Sequence, residues 1–186
     1  MSANSPTSPH QGQLAALRMI AGALTTAVVL FGLVVSFIVP SGSWFELPGA
    51  AGLALPVVVG VAAAGAIATV GHNVPAIPQA TPAETATARG VAGFRSSFFI
   101  RLAFAEVPAL VGLAAVFIAE TPSMIPYLIG GAVSLVLLGL YVFPTRASVQ
   151  RIERKLDRDG GRSRLAEAFG FRSVPGAGYT GSATVH

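Results

Sequence analysis

The chain contains no cysteine, which excludes a disulfide framework, a thiolate metal site and a thiol nucleophile together. Charge is almost as scarce. Asp, Glu, Lys and Arg make up 11% of 186 residues, against about a quarter in a soluble domain whose surface must be wetted. Histidine occurs only at positions 10, 72 and 186, never at metal-ligand spacing, so no metal site is expected. No strand pattern and no Gly-rich phosphate loop is present, and no cofactor is expected. Lysine occurs once beside eleven arginines. With heavy use of Ala, Gly, Val and Pro, that bias reads as GC-rich coding and carries no function.

What remains is apolar: 53% of residues are hydrophobic and the mean hydropathy is +0.68. The apolar residues fall into four runs, about 19–39, 50–70, 98–119 and 125–143. Each offers about 20 residues, enough at 1.5 Å rise per residue for a hydrocarbon layer of roughly 30 Å. The first run exceeds the 7–15 residues of a signal-peptide core and is read as a retained helix. The expected fold is all-α: a polytopic membrane protein with four transmembrane helices and a cytoplasmic amphipathic helix at the C-terminus. Residues 1–13 are polar and Pro/Ser-containing, with nothing to bury, and are expected to be disordered. The helical bundle occupies 14–144, a basic amphipathic segment 145–172, and a disordered Gly/Ser/Thr-rich tail 173–186.

Local signals fill in the connections. Trp44 and Phe45, in the first loop, suit the headgroup level. In the second run Pro56 predicts a kink that neighbouring helices can accommodate. Gly60, Ala64 and Ala68 recur every fourth residue and would admit another helix closely. Chance spacing in an Ala-rich helix gives the same row. Thr81-Pro82-Ala83-Glu84 predicts a capping box opening a short interfacial helix before the third run.

The basic residues set orientation. Eight of twelve Lys and Arg lie at or after Arg146, Arg89 and Arg95 flank the third run, and Arg18 flanks the first. The loops near 40–49 and 120–124 hold none. The positive-inside rule then puts both termini in the cytoplasm, and a bacterial plasma membrane is the expected location. Beyond Pro144, Val149, Ile152 and Leu156 share one helical face, with Arg151, Arg154, Lys155 and Arg158 on the rest. Such a helix can lie against the bilayer and its anionic headgroups. Ordinary solvated charges that fix orientation are the alternative.

Two charges fall inside a run, both in the third. Arg101 is near its cytoplasmic end and can snorkel. Glu106 lies about 12 Å deep, where a carboxylate must be protonated, paired or beside a polar cavity. Five residues separate the two, about 140° around a helix, so they do not face each other. Glu106 needs a partner from another helix or chain.

The segment FFIRLAFAEVPALVGLAAVFI resembles the carboxylate-bearing helix of rotary ATPase c-type (proteolipid) subunits over about 25 residues, through Glu106, Pro108 and Gly112. The resemblance implies a proton- or sodium-binding role for Glu106, supported by Pro108 and Gly112 and by loop arginines matching Arg89 and Arg95; Arg101, on the same helix, is taken as a further supporting residue. The sequence departs from that family in three respects, one being a basic tail with no counterpart there. Its second run holds only Gly60 and Gly65 in its interior, where a dense glycine row is expected, and the carboxylate is on the third helix.

Two functions follow as expectations. The first is a structural or accessory subunit of a larger membrane complex, partnered by other membrane subunits. The second is proton or ion handling through Glu106. An enzyme is not expected: Ser96 and Ser97 have only His72 nearby in sequence as a base, and His72 reads as an interfacial residue. Nucleic acid is not an expected partner either, because the basic run is short and tethered to the bilayer.

Overall fold

A computed structural model describes residues 9–119 and 121–171. The helices are α1 (Pro9–Ile38), α2 (Ala50–Thr69), α3 (Ala83–Ile118), α4 (Ile125–Leu137), α5 (Arg146–Leu156) and α6 (Leu165–Ala168). α4 continues as a π-helical turn, Leu138–Val142. Four of these elements are long and apolar enough to cross a membrane. The protein is therefore an all-α, multi-pass membrane protein, with no strand among the described residues.

Three sequence expectations change. Residues 9–13, expected to be disordered, form the start of α1, and the tail beyond residue 171 lies outside the described residues. The short interfacial helix and the third span are one unbroken helix of 36 residues. Its start carries no side-chain cap, and Pro82 occupies the N-cap position. The capping box that does form is Thr145 with Ser148, at the head of α5. A Ser at the fourth position completes it, where the sequence reading looked for Glu.

α3 is the centre of the membrane bundle, packed against α2 and α4, which also touch each other. The α3–α4 contact is backbone on backbone. A Cβ on Gly130 would come 2.2 Å from the Pro108 carbonyl oxygen, and one on Gly112 would come 2.5 Å from that of Pro126. Pro108 has no N–H to offer its helix, and the next N–H, that of Ala109, donates to Ser134 Oγ of α4 at 2.9 Å. With lipid on the outside, close approach and such cross-helix hydrogen bonds hold a bundle together, because apolar burial provides little net drive.

The buried face of α2 is Pro56, Gly60, Ala63 and Ile67. Gly60 is the close contact, where an added Cβ would sit 2.6 Å from Val133 Cγ1. Ala64 packs at the edge of the core, and Ala68 is exposed. The small-residue row is thus used at one end and turns outward at the other.

α1 is the outlying helix. Its buried residues, Leu14, Leu17, Ala21, Val28 and Val35, form a narrow seam, and the Tyr127 hydroxyl of α4 donates to the Val28 carbonyl. Its other face, with Val29, Leu30, Leu33, Val34 and Phe37, is exposed, as a lipid-facing surface should be. At the far end, Trp44 Nε1 donates to the Val39 carbonyl at 2.8 Å, and the Trp44 carbonyl accepts from Met124 N–H at 3.1 Å. Trp44 therefore joins the two loops there, while Phe45 is exposed.

On the other side, α5 and α6 form a cap over the outer half of α3. Val149, Ile152 and Leu156 are fully buried, and Leu156 rests against Gly90 and Gly93. The loop after α2 closes the cap: Ile77 N–H donates to the Leu156 carbonyl at 2.7 Å, and Arg158 Nη1 to the Val74 carbonyl at 3.0 Å. Phe94 and Phe169 meet edge to face at 5.2 Å. The apolar stripe that the sequence offered to headgroups is taken up by the protein itself. Burial of each such side chain from water contributes about 1.5–3 kcal/mol, which explains why α5 folds onto α3. Arg151 and Arg154 remain on the outer surface and Lys155 is half-buried.

Candidate functional site

Glu106 faces a cleft between α1, α3 and α4. The cleft has a volume of about 110 Å³, and its walls include Leu24, Val28 and Phe31 of α1, Leu110 and Leu113 of α3, and Tyr127 of α4. Five residues beyond Arg101, the carboxyl lies about 7.5 Å further along α3. Its Oε1 atom is shielded and has no hydrogen-bond partner. The one other polar side-chain group in this lining, the Tyr127 hydroxyl, is already bonded to Val28. The α3 register explains the placement. Ala105, Pro108, Ala109 and Gly112 take the faces towards α2 and α4, and the next position round turns to the gap beside the loosely packed α1.

Pro108 and Gly112, singled out through the resemblance, are at the α3–α4 crossing rather than in contact with the carboxyl's cleft. Their presence is explained by packing alone.

Arg101 occupies a separate node. It does not snorkel: its side chain is 1% exposed and is the largest fully buried one among the described residues. Nη1 donates to the Tyr141 carbonyl in the π-helical turn, and Nε to the Ser97 carbonyl at 3.1 Å. The guanidinium carbon is 5.9 Å from the Phe94 ring centre. Gly71, just past α2, lies against the arginine stem, and its carbonyl accepts from Ser97 Oγ. The C-terminal end of α4, where orphan carbonyls give partial negative charge, thus meets the cation directly, and the end of α2 lies beside its stem. Arg101 ties α3 to the end of α4 and does not form part of the Glu106 cleft.

His72 borders this node. It is buried, and Nδ1–H donates to the Ile67 carbonyl at 3.0 Å. Burial holds its pKa below the ordinary 6.5, and Arg101, Arg151 and Lys155 push in the same direction, against the stabilising carbonyl bond. The folded protein therefore binds fewer protons here than the unfolded chain. This contribution to stability is complete above about pH 6.5 and is lost as pH falls through the depressed value. Limited proteolysis of the cap is expected to accelerate between pH 7 and pH 5. In His72→Gln that part of the acceleration should vanish, and an unchanged pH profile would contradict the assignment.

Among the described residues no group of three or more His, Asp or Glu is placed to hold a metal ion. Ser96 and Ser97 lie in the outer half of α3, with Ser97 committed to the Gly71 carbonyl. The sequence reading missed three things: the cation node, the glycine crossing with Gly130, and a groove beside Arg95. Of these, the pair Gly130-Gly131 inside an apolar run was the available signal. Compared with protein-family models, curated proteins and solved structures, the chain shows no match, so its functional reading rests on this geometry.

Proposed function

We propose that this protein is an accessory or assembly subunit of a larger membrane complex, docked on a partner helix at the Glu106 cleft. One observation carries the reading: a shielded carboxyl oxygen at membrane depth that nothing in its cleft satisfies. Intramembrane carboxyls persist where a partner or a function holds them. A neighbouring chain that places Arg, Lys, Asn, Gln or Ser against the cleft supplies the missing donor. The basic surface of the cap supports a cytoplasmic position for it, by the positive-inside rule, in a bacterial plasma membrane.

Extraction in mild detergent followed by mass spectrometry of the intact assembly tests this. Foreign chains at fixed stoichiometry are expected. Glu106→Leu should remove them while leaving the isolated chain as stable as before or about 1 kcal/mol more stable, since an unsatisfied polar group leaves an apolar cleft. Loss of stability in Glu106→Leu would reveal an internal partner and defeat the reading.

A second reading rests on the same carboxyl: proton binding and release, as the local resemblance to proteolipid subunits implies. A metal cation is poorly served here, because hard cations take several oxygen ligands and the cleft offers one free side chain. A hydrophobic carbodiimide, which attacks protonated carboxyls in lipid, should then label Glu106. Absence of labelling at every pH would eliminate this alternative.

A further inference from the structure

A groove runs down the opposite flank of the α1–α3 pair, at the mouth of the bilayer. Its outer part, about 470 Å³, is bordered by His10 and Gln13 of α1 and by Arg95 and Ser96 of α3. Its inner part, about 250 Å³, shares Gln13, Arg95 and Phe99 and reaches Ile20. Two landmarks fix its depth. Arg18 Nε donates to the carbonyl of Pro144, just beyond the end of α4, at 3.3 Å, and Arg101 marks the same end from α3. Gln13 is therefore about 7.5 Å outside the level of Arg18 and Ile20 about 3 Å inside it, by helical rise. With the hydrocarbon edge placed at that level, the outer part falls among headgroups and the inner part at the start of the acyl region.

Its chemistry divides at the same level. The outer part has one cation, one imidazole, one amide and one hydroxyl, and no Asp or Glu in its lining. His10 Nδ1 is shielded there without a hydrogen-bond partner. Arg95 is exposed and lies along the groove wall, its guanidinium carbon 5.9 Å from the Phe99 ring centre. Phe99 and Ile20 then continue the wall as apolar surface.

We propose that this groove holds one anionic phospholipid, its phosphate between Arg95, Ser96 and His10 and an acyl chain along Phe99 and Ile20. Arg95 and the Ser96 hydroxyl donate to phosphate oxygens, in the manner of charge-assisted hydrogen bonds. A choline or other cationic headgroup finds no carboxylate in the lining and meets a guanidinium instead. The site is independent of the Glu106 cleft.

The test titrates the full-length protein in non-ionic detergent with phosphatidylglycerol or phosphatidylcholine of matched acyl chains, read by native mass spectrometry. One retained phosphatidylglycerol per chain is expected, with about fivefold preference over phosphatidylcholine, the value of one basic residue near a headgroup. Arg95→Gln should abolish the preference, Arg95→Lys should keep part of it, and Ser96→Asp should reverse it by repulsion. Arg154→Gln, on the outer face of the cap, should leave it intact. Equal retention of both lipids would overturn the proposal, as would an equal loss in Arg154→Gln. Displacement by millimolar glycerol 3-phosphate would reduce the site to a phosphate binder and overturn the lipid. If lipid is retained only after deletion of residues 2–8, the chain's own N-terminus fills the groove and the proposal fails.

Discussion

Gly130→Ala is expected to destabilise the protein by about 3 kcal/mol or more, measured by circular dichroism during unfolding in mixed detergent micelles. Adding a methylene to a packed core typically costs about 1–3 kcal/mol, because side chains move aside. Here the new methyl meets backbone: the Pro108 oxygen at 2.2 Å and Gly112 Cα at 3.2 Å. Neither can rotate away, so α3 and α4 must separate. Separation also stretches the 2.9 Å bond from Ala109 N–H to Ser134 Oγ. Gly65→Ala is the control, since a Cβ there meets nothing within 4 Å, and it should leave stability unchanged or slightly raised. A Gly130→Ala protein within 0.5 kcal/mol of the parent would mean that the crossing is soft and does not organise the bundle.

Arg101→Met is the second large effect, at roughly 3 kcal/mol. Methionine keeps much of the volume, so the loss isolates the guanidinium. Removing a buried charge recovers its desolvation cost, which opposes the loss. Three terms outweigh that recovery. Charged hydrogen bonds contribute about 1.5–3 kcal/mol each, the Tyr141 carbonyl is left without this donor, and the ends of α2 and α4 lose a compensating charge. The effect should be local as well as global. Hydrogen exchange is expected to accelerate over 138–143 and in the loop after α2, with the interior of α1 little changed. Uniform acceleration along the whole chain would instead indicate simple loss of bulk packing.

Why was so much of the architecture readable from the residues? The second and fourth spans were expected at 50–70 and 125–143, and α2 and α4 with its π-helical turn cover Ala50–Thr69 and Ile125–Val142. Lipid imposes a length and a composition on any helix that crosses it, and Gly or Pro punctuation marks the ends. The cap was only half legible. Val149, Ile152 and Leu156 announce an apolar face, but that face is equally satisfied by headgroups or by α3. Gly90 and Gly93, which make room for it, carry no pattern that says so. Arg101 shows the same ambiguity. A cation near the end of a span reads identically whether it reaches water or closes on carbonyls, because backbone acceptors are invisible in a list of side chains. Glu106 was found because a carboxyl in an apolar run is costly wherever it points. Its cleft depends on how loosely α1 packs, which composition does not encode.

The unbroken run of α3 has a mechanical consequence. It extends about 54 Å at 1.5 Å per residue, so one rigid rod joins the level of Glu106 to the base of the cap. Its portion beyond Arg101 is about 27 Å long, and a tilt of about 10° about that point swings its outer tip by about 5 Å. Tilts of that size accompany modest changes in bilayer thickness. Because the cap packs on this outer portion through Gly90, Gly93 and Phe94, such a tilt would carry the cap with it.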